Sequence, residues 1–68
     1  MSQSDEILRH LQEYGWITPM NALSLYGCFR LAARIEELRR MGYPIQTVDM
    51  SNNGKRYAKY TLEQLALL

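Results

Sequence analysis

The sequence predicts an α+β fold, mainly α: a core of three helices followed by a two-stranded β-hairpin. Three observations lead there. Apolar residues recur at helical spacing in three stretches, each closed by a glycine: Gly15, Gly27 and Gly42. Beyond Pro44 the chain becomes β-leaning, turns at Asn53-Gly54 and resumes. With 68 residues it is one domain at most, residues 1–68. A chain this short buries only about 60% of its unfolded surface. A hairpin laid over one edge of three helices adds burial that it needs.

The first helix is expected over about residues 4–14. Ser4 precedes Asp5 and Glu6, acids suited to the positive end of a helix dipole, and Ile7, Leu8, Leu11 and Tyr14 follow at helical spacing. Trp16 and Ile17 read as a short extended link. Thr18-Pro19 starts the second helix, about 19–26, because Thr caps and Pro at the first helical position loses no useful donor. Tyr26-Gly27 closes it. The third helix, about 29–41, contains no Pro or Gly and carries Arg39 and Arg40 in its last turn. Leu31, Ile35 and Leu38 form its apolar stripe. Tyr43-Pro44 breaks the helical pattern. The hairpin is expected over about 45–60, turning in Ser51-Asn52-Asn53-Gly54. In the short tail, 61–68, Thr61 and Gln64 are spaced as a capping box, and Leu62, Leu65, Leu67 and Leu68 would form a frayed apolar turn.

Composition narrows the function classes. The chain is 47% hydrophobic and 22% charged, which is globular and not a disordered tail. It holds no apolar run of membrane-span length and no apolar signal core in MSQSDEILRH, so a soluble cytoplasmic domain is expected. Cys28 is the single cysteine, which excludes an internal disulfide framework and a multi-cysteine zinc site. The net charge is only +1, which by itself points to no partner. Its distribution says more. Residues 1–27 set Arg9 against Asp5, Glu6 and Glu13, and residues 61–68 hold Glu63 alone. The other basic residues, Arg30, Arg34, Arg39, Arg40, Lys55, Arg56 and Lys59, lie between 28 and 60, against Glu36, Glu37 and Asp49. Such asymmetry hints at an anionic partner, or simply at a solvated helix.

The two helices around Tyr26-Gly27 fit a helix-turn-helix unit, and a hairpin placed straight after that unit makes a winged helix. The matching residues are Ile17-Thr18-Pro19, Ala22-Leu23, Tyr26-Gly27-Cys28, Arg30-Leu31-Ala32-Ala33-Arg34-Ile35, Leu38-Arg39, Gly42-Tyr43-Pro44-Ile45 and Gly54-Lys55-Arg56. With these, about residues 7 to 62, the chain resembles the small winged helix-turn-helix domains common in phages and prophages. The resemblance implies a DNA-binding fold. It says little about biological role, because winged helices also serve as protein-binding modules.

Candidate DNA-contacting residues follow from the layout. If Leu31, Ile35 and Leu38 face inward, Arg30, Ala33, Arg34 and Glu37 share an outward stripe. Arg can donate two hydrogen bonds to guanine or reach a phosphate, Ala33 can meet a thymine methyl, and Glu37 can accept from cytosine or hold an arginine. The alternative is a solvated face with weak ion pairs. At the hairpin, Asn53, Lys55 and Arg56 put hydrogen-bonding groups and cations at a loop tip, with Lys59 on the same strand face as Lys55 and Tyr57. The alternative there is a polar hairpin whose lysines protect an edge strand. Thr18 is a cap whose hydroxyl or neighbouring amides could meet a phosphate.

Other residues read as structural. Tyr14, Trp16 and Phe29 are expected in the core, Cys28 as a small turn or core residue, and His10 as a solvated or boundary residue. Arg39 and Arg40 are expected as surface charges at a helix end. No phosphate-cradling loop, nucleophile trio or shared carboxylate pair is present, so the chain reads as a non-enzyme with no metal, cofactor or small-molecule substrate. The leading expectation is a small double-stranded-DNA-binding protein, a phage or prophage-type transcriptional regulator or recombination accessory factor. The alternative is a winged-helix module that binds a protein partner. A lone module has a small footprint on DNA, so a homodimer or a protein partner fits either reading.

Overall fold

The structure is a computed structural model and describes residues 2–63. The chain order is α1 (Gln3–Tyr14), β1 (Trp16–Ile17), α2 (Pro19–Tyr26), α3 (Leu31–Arg40), β2 (Ile45–Asn52) and β3 (Lys55–Leu62). The three strands form one antiparallel sheet in the order β1-β3-β2. Three helices followed by a hairpin, with β1 added at the sheet edge, make a winged helix. No described helix is long and apolar enough to cross a membrane.

Local rules account for most boundaries. The cap of α1 is Ser2, whose hydroxyl accepts from Asp5 N at 3.2 Å. Ser4, expected as the start, lies inside the first turn and donates to Glu37 of α3. Thr18 caps α2 in a reciprocal arrangement with Asn21, and Pro19 follows at the first helical position. Gly27 ends α2 at φ 64°, a left-handed conformation that a Cβ disfavours. The third helix starts at Leu31, not at Cys28 or Phe29, so Arg30 is its cap residue.

Tertiary structure changed four expectations. Trp16-Ile17 is a strand, paired with Thr61 and Tyr60 of β3. Pairing of Ile45 and Gln46 with Leu62 and Thr61 carries the hairpin on to Leu62, so Thr61 and Leu62 lie in a strand and not at a helix start. Gln64, Leu65, Leu67 and Leu68 lie outside the described residues. The aromatics expected inside are exposed: Tyr14 is 61%, Trp16 39% and Phe29 86% accessible. His10 goes the other way and is buried.

The core draws on every element but β3. Ile7 and Leu11 of α1, Ile17 of β1, Ala22 of α2, Leu31, Ile35 and Leu38 of α3, Ile45 of β2, and Cys28 form one buried cluster. Tyr60 and Leu62 of β3 pack on it from the sheet. At its margin His10 Nδ1 shares a 2.9 Å hydrogen bond with Tyr26 Oη, and the His10 ring lies against Tyr14 and edge-on to Tyr26. Burial holds the imidazole below its ordinary value, partly offset by the charge of Glu13.

Two outcomes follow. Ile35→Ala is expected to cost about 2–5 kcal/mol in a urea titration followed by circular dichroism, against less than about 0.5 kcal/mol for Leu25→Ala on the exposed side of α2. The lowered pKa of His10 means that the unfolded chain binds its proton first as pH falls. Stability is therefore complete above about pH 6.5 and declines below it until the folded value is reached. The urea midpoint between pH 7.5 and 5.5 is expected to fall more steeply in the wild type than in His10→Asn.

Candidate functional site

The site is built from the start of α2, the start of α3 and the hairpin. The hydroxyl of Thr18 accepts from Asn21 N at 3.2 Å and donates to Asn21 Oδ1 at 2.8 Å. It is thus occupied as a cap. Nine residues on, Gly27 turns the chain, and Cys28 is buried. The chain then climbs through exposed Phe29 and Arg30 into α3. Arg30 makes no side-chain capping bond.

The stripe expected to face outward is divided. Arg30 is exposed and Ala33 half-buried at the open end of α3. Arg34 and Glu37 are turned to the flank of the helix, toward α1. Arg34 Nη2 lies 3.2 Å from Glu37 Oε2, and Glu37 also accepts from Ser4 Oγ. Arg34 Nε is buried without a hydrogen-bond partner among the described residues. The geometry follows from the helical period. Residues 31, 35 and 38 centre the buried face, which places 34 beside it and 33 opposite.

Arg39, read from sequence as a surface charge, bridges two elements. Its Nε donates to Ile45 O at 3.0 Å, Nη2 to Thr47 Oγ1 at 2.9 Å, and Nη1 lies 3.0 Å from Glu36 Oε2. This ties the last turn of α3 to the first residues of β2 and sets the angle of the hairpin. The Glu36-Arg39 spacing was visible in the sequence; the backbone acceptor was not. Arg40 stays exposed.

The hairpin pairs Asn52 with Lys55 across a two-residue turn, Asn53 at φ 52° and Gly54 at φ 77°. Two positive φ values in a row match the right-handed twist of the strands, which is why Asn-Gly occupies this turn. Strand alternation parts the cations. Arg56 shares a face with Ala58, Tyr60 and Leu62, the face that continues onto the core. Lys55, Tyr57 and Lys59 point the other way, and the Lys59 ammonium sits 4.9 Å over the Trp16 ring.

These pieces meet in two adjoining grooves. One, of about 650 Å³, runs between the start of α2 and the hairpin end and is lined by Thr18, Pro19, Met20, Asn52, Lys55 and Arg56. The other lies at the start of α3 and is lined by Pro19, Leu23, Phe29, Arg30, Ala32 and Ala33, with Tyr60 of the sheet at its side. Pro19 and Leu23 belong to both. Thr18, Arg30, Ala33, Lys55 and Arg56 are therefore on one continuous surface. Asn53 stands exposed at the turn, and Lys59 is engaged with Trp16. Arg30, Lys55 and Arg56 make no ion pair among the described residues. Asp5, Glu6 and Glu13 all lie on α1. Among the described residues no group of His, Cys, Asp and Glu could hold a metal ion.

A family model described as a winged helix-turn-helix domain matches residues 2–64. Among curated proteins and solved structures, nothing matches the chain.

Gly54→Ala places a Cβ at φ 77° and is expected to cost about 1–2 kcal/mol. The cost is read as a lower urea midpoint, while amide exchange at the α1–α3 core keeps its order of protection.

Proposed function

The chain belongs to the winged helix-turn-helix domain family, and from that premise we propose that it binds double-stranded DNA. One observation carries the reading: the start of α2, the start of α3 and the hairpin cations line adjoining grooves on one surface. A recognition helix reads base edges with its N-terminal residues, while wing and helix-start groups hold phosphates. Arg30 and Ala33 then lie in the major groove, with Arg34 and Glu37 at its edge. Asn53, Lys55, Arg56 and Lys59 run along the backbone or the minor groove, and the Thr18 end of α2 meets a phosphate. The reading is of a binding protein in the bacterial cytoplasm, not an enzyme. Its finer form is a phage or prophage-type transcriptional regulator or an accessory factor in recombination.

A second reading has its own observation. The helix α2 exposes Met20, Leu23 and Leu25 at 72%, 41% and 59%. Exposed large apolar side chains grouped on one helix suit a protein contact. Met20 and Leu23 also line the two grooves, so a protein seated on them would take the place of DNA.

The reading is tested by fluorescence anisotropy with random-sequence duplex DNA across a salt series. Binding is expected at ~50 mM salt and falls linearly on a log-log plot as counterions are released. Replacing both Lys55 and Arg56 by Ala is expected to lower the slope by about 2, close to one per lost phosphate contact. Arg30→Ala is expected to weaken binding more than Arg9→Ala. Absence of binding to any duplex at ~50 mM salt overturns the DNA reading.

A further inference from the structure

The turn that leads into α3 displays a large apolar side chain that the core does not take in. Phe29, at 86%, is the most exposed of the large apolar residues among those described. The backbone explains why it stands outside. Cys28 and Leu31, on either side of it, are both buried, and they take the inward directions of the turn. A domain this small has little apolar area to leave in water. Phe29 shares its groove with Leu23 of α2 and lies next to a cation without a partner: Arg30 forms no ion pair among the described residues and no side-chain cap.

The rest of α3 is less available. Arg34 pairs with Glu37, which also accepts from Ser4, and Arg39 holds Glu36 and β2. What remains at the leading end is Phe29, Arg30, Ala32 and Ala33, which with Pro19 and Leu23 line an open groove of about 440 Å³. This surface is mostly apolar, with the Arg30 guanidinium as its one charge and Tyr60 at its side. In the major groove only thymine presents a methyl group, and the apolar partners that suit it are Phe, Ala and the methyl of Thr. Guanine presents the two acceptors that suit Arg.

Resting on the duplex-DNA reading above, we propose that Phe29 is a specificity-determining residue. Its ring, with the Ala33 methyl beside it, packs on the C5-methyl of thymine, next to a guanine contacted by Arg30. The target then contains a thymine adjoining a G·C pair, and selectivity there comes from apolar contact more than from hydrogen bonds.

The test uses the whole chain. A duplex is selected by wild-type protein from a random library. Its affinity is then measured with deoxyuridine replacing thymidine one position at a time, which removes only the methyl. At one or two positions the wild type is expected to lose about fourfold, the factor for burying one methyl-sized group. In Phe29→Ala that penalty is expected to vanish, and in Phe29→Leu, which keeps an apolar surface, to be intermediate. Circular dichroism melts of both variants check that the fold is retained. Indifference of the wild type to uracil at every position overturns the proposal, as does an undiminished penalty in both variants. Salt-dependent binding without a uracil effect leaves the DNA reading standing and removes Phe29 from it. Failure to bind any duplex overturns both.

Discussion

The burial of Leu31, Ile35 and Leu38 against Ile7 and Leu11 is the constraint on which the rest of the structure depends. A domain of this size has one core, and nearly every element contributes to it. Seating that stripe of α3 inside leaves its other side for solvent and for whatever the protein binds. The same seating brings α3 against α1, where Ser4, Glu37 and Arg34 meet. The residues that look most like base readers in a helical wheel are drawn partly into this flank. The free surface shifts toward the start of the helix.

The hairpin is held in the frame by two features. Tyr60 and Leu62 rest on the core at its base, and β1 pairs with Thr61 and Tyr60 along the edge of β3. Arg39 then fixes α3 to β2 through a backbone carbonyl and a hydroxyl. From Lys59 toward the turn the hairpin leaves the core, and its cations Lys55 and Arg56 lie near its end, beside the start of α2. A short edge strand is a modest element, yet β1 decides where β3 lies relative to α2. It thereby decides that the hairpin end, at Lys55 and Arg56, lines a groove with the start of that helix.

The apolar residues outside the core follow a pattern. Trp16 carries the Lys59 ammonium, so its exposure is partial and its face is used. Met20 and Leu25 are exposed on α2, and Phe29 is exposed in the turn, where it lines a groove with Leu23. His10 shows the reverse exchange, a polar ring taken inside because Tyr26 offers its hydroxyl and Tyr14 its face. Partners across the core, not intrinsic hydrophobicity, decided which rings were covered.

Much of this was legible in the amino-acid sequence. The periodicity of apolar residues determined three helices, the glycines marked their ends, Thr18-Pro19 marked one start, and Asn53-Gly54 determined the turn. These are local effects: each depends on the steric freedom of one residue or on hydrogen bonds a few residues apart. The winged architecture followed from their order, and with it the cations of the hairpin and of α3. The tertiary structure decided what depends on residues far apart in the chain. It made Trp16-Ile17 a strand, because Thr61 and Tyr60 supply the backbone partners. It buried His10 and exposed Phe29, and it moved the cap from Ser4 to Ser2, which frees Ser4 for Glu37. It also gave Arg39 a bridging role, because its acceptors lie across a helix-to-strand junction. Local patterns specify elements, but which face of a side chain meets water is settled only when one small core has been shared among them.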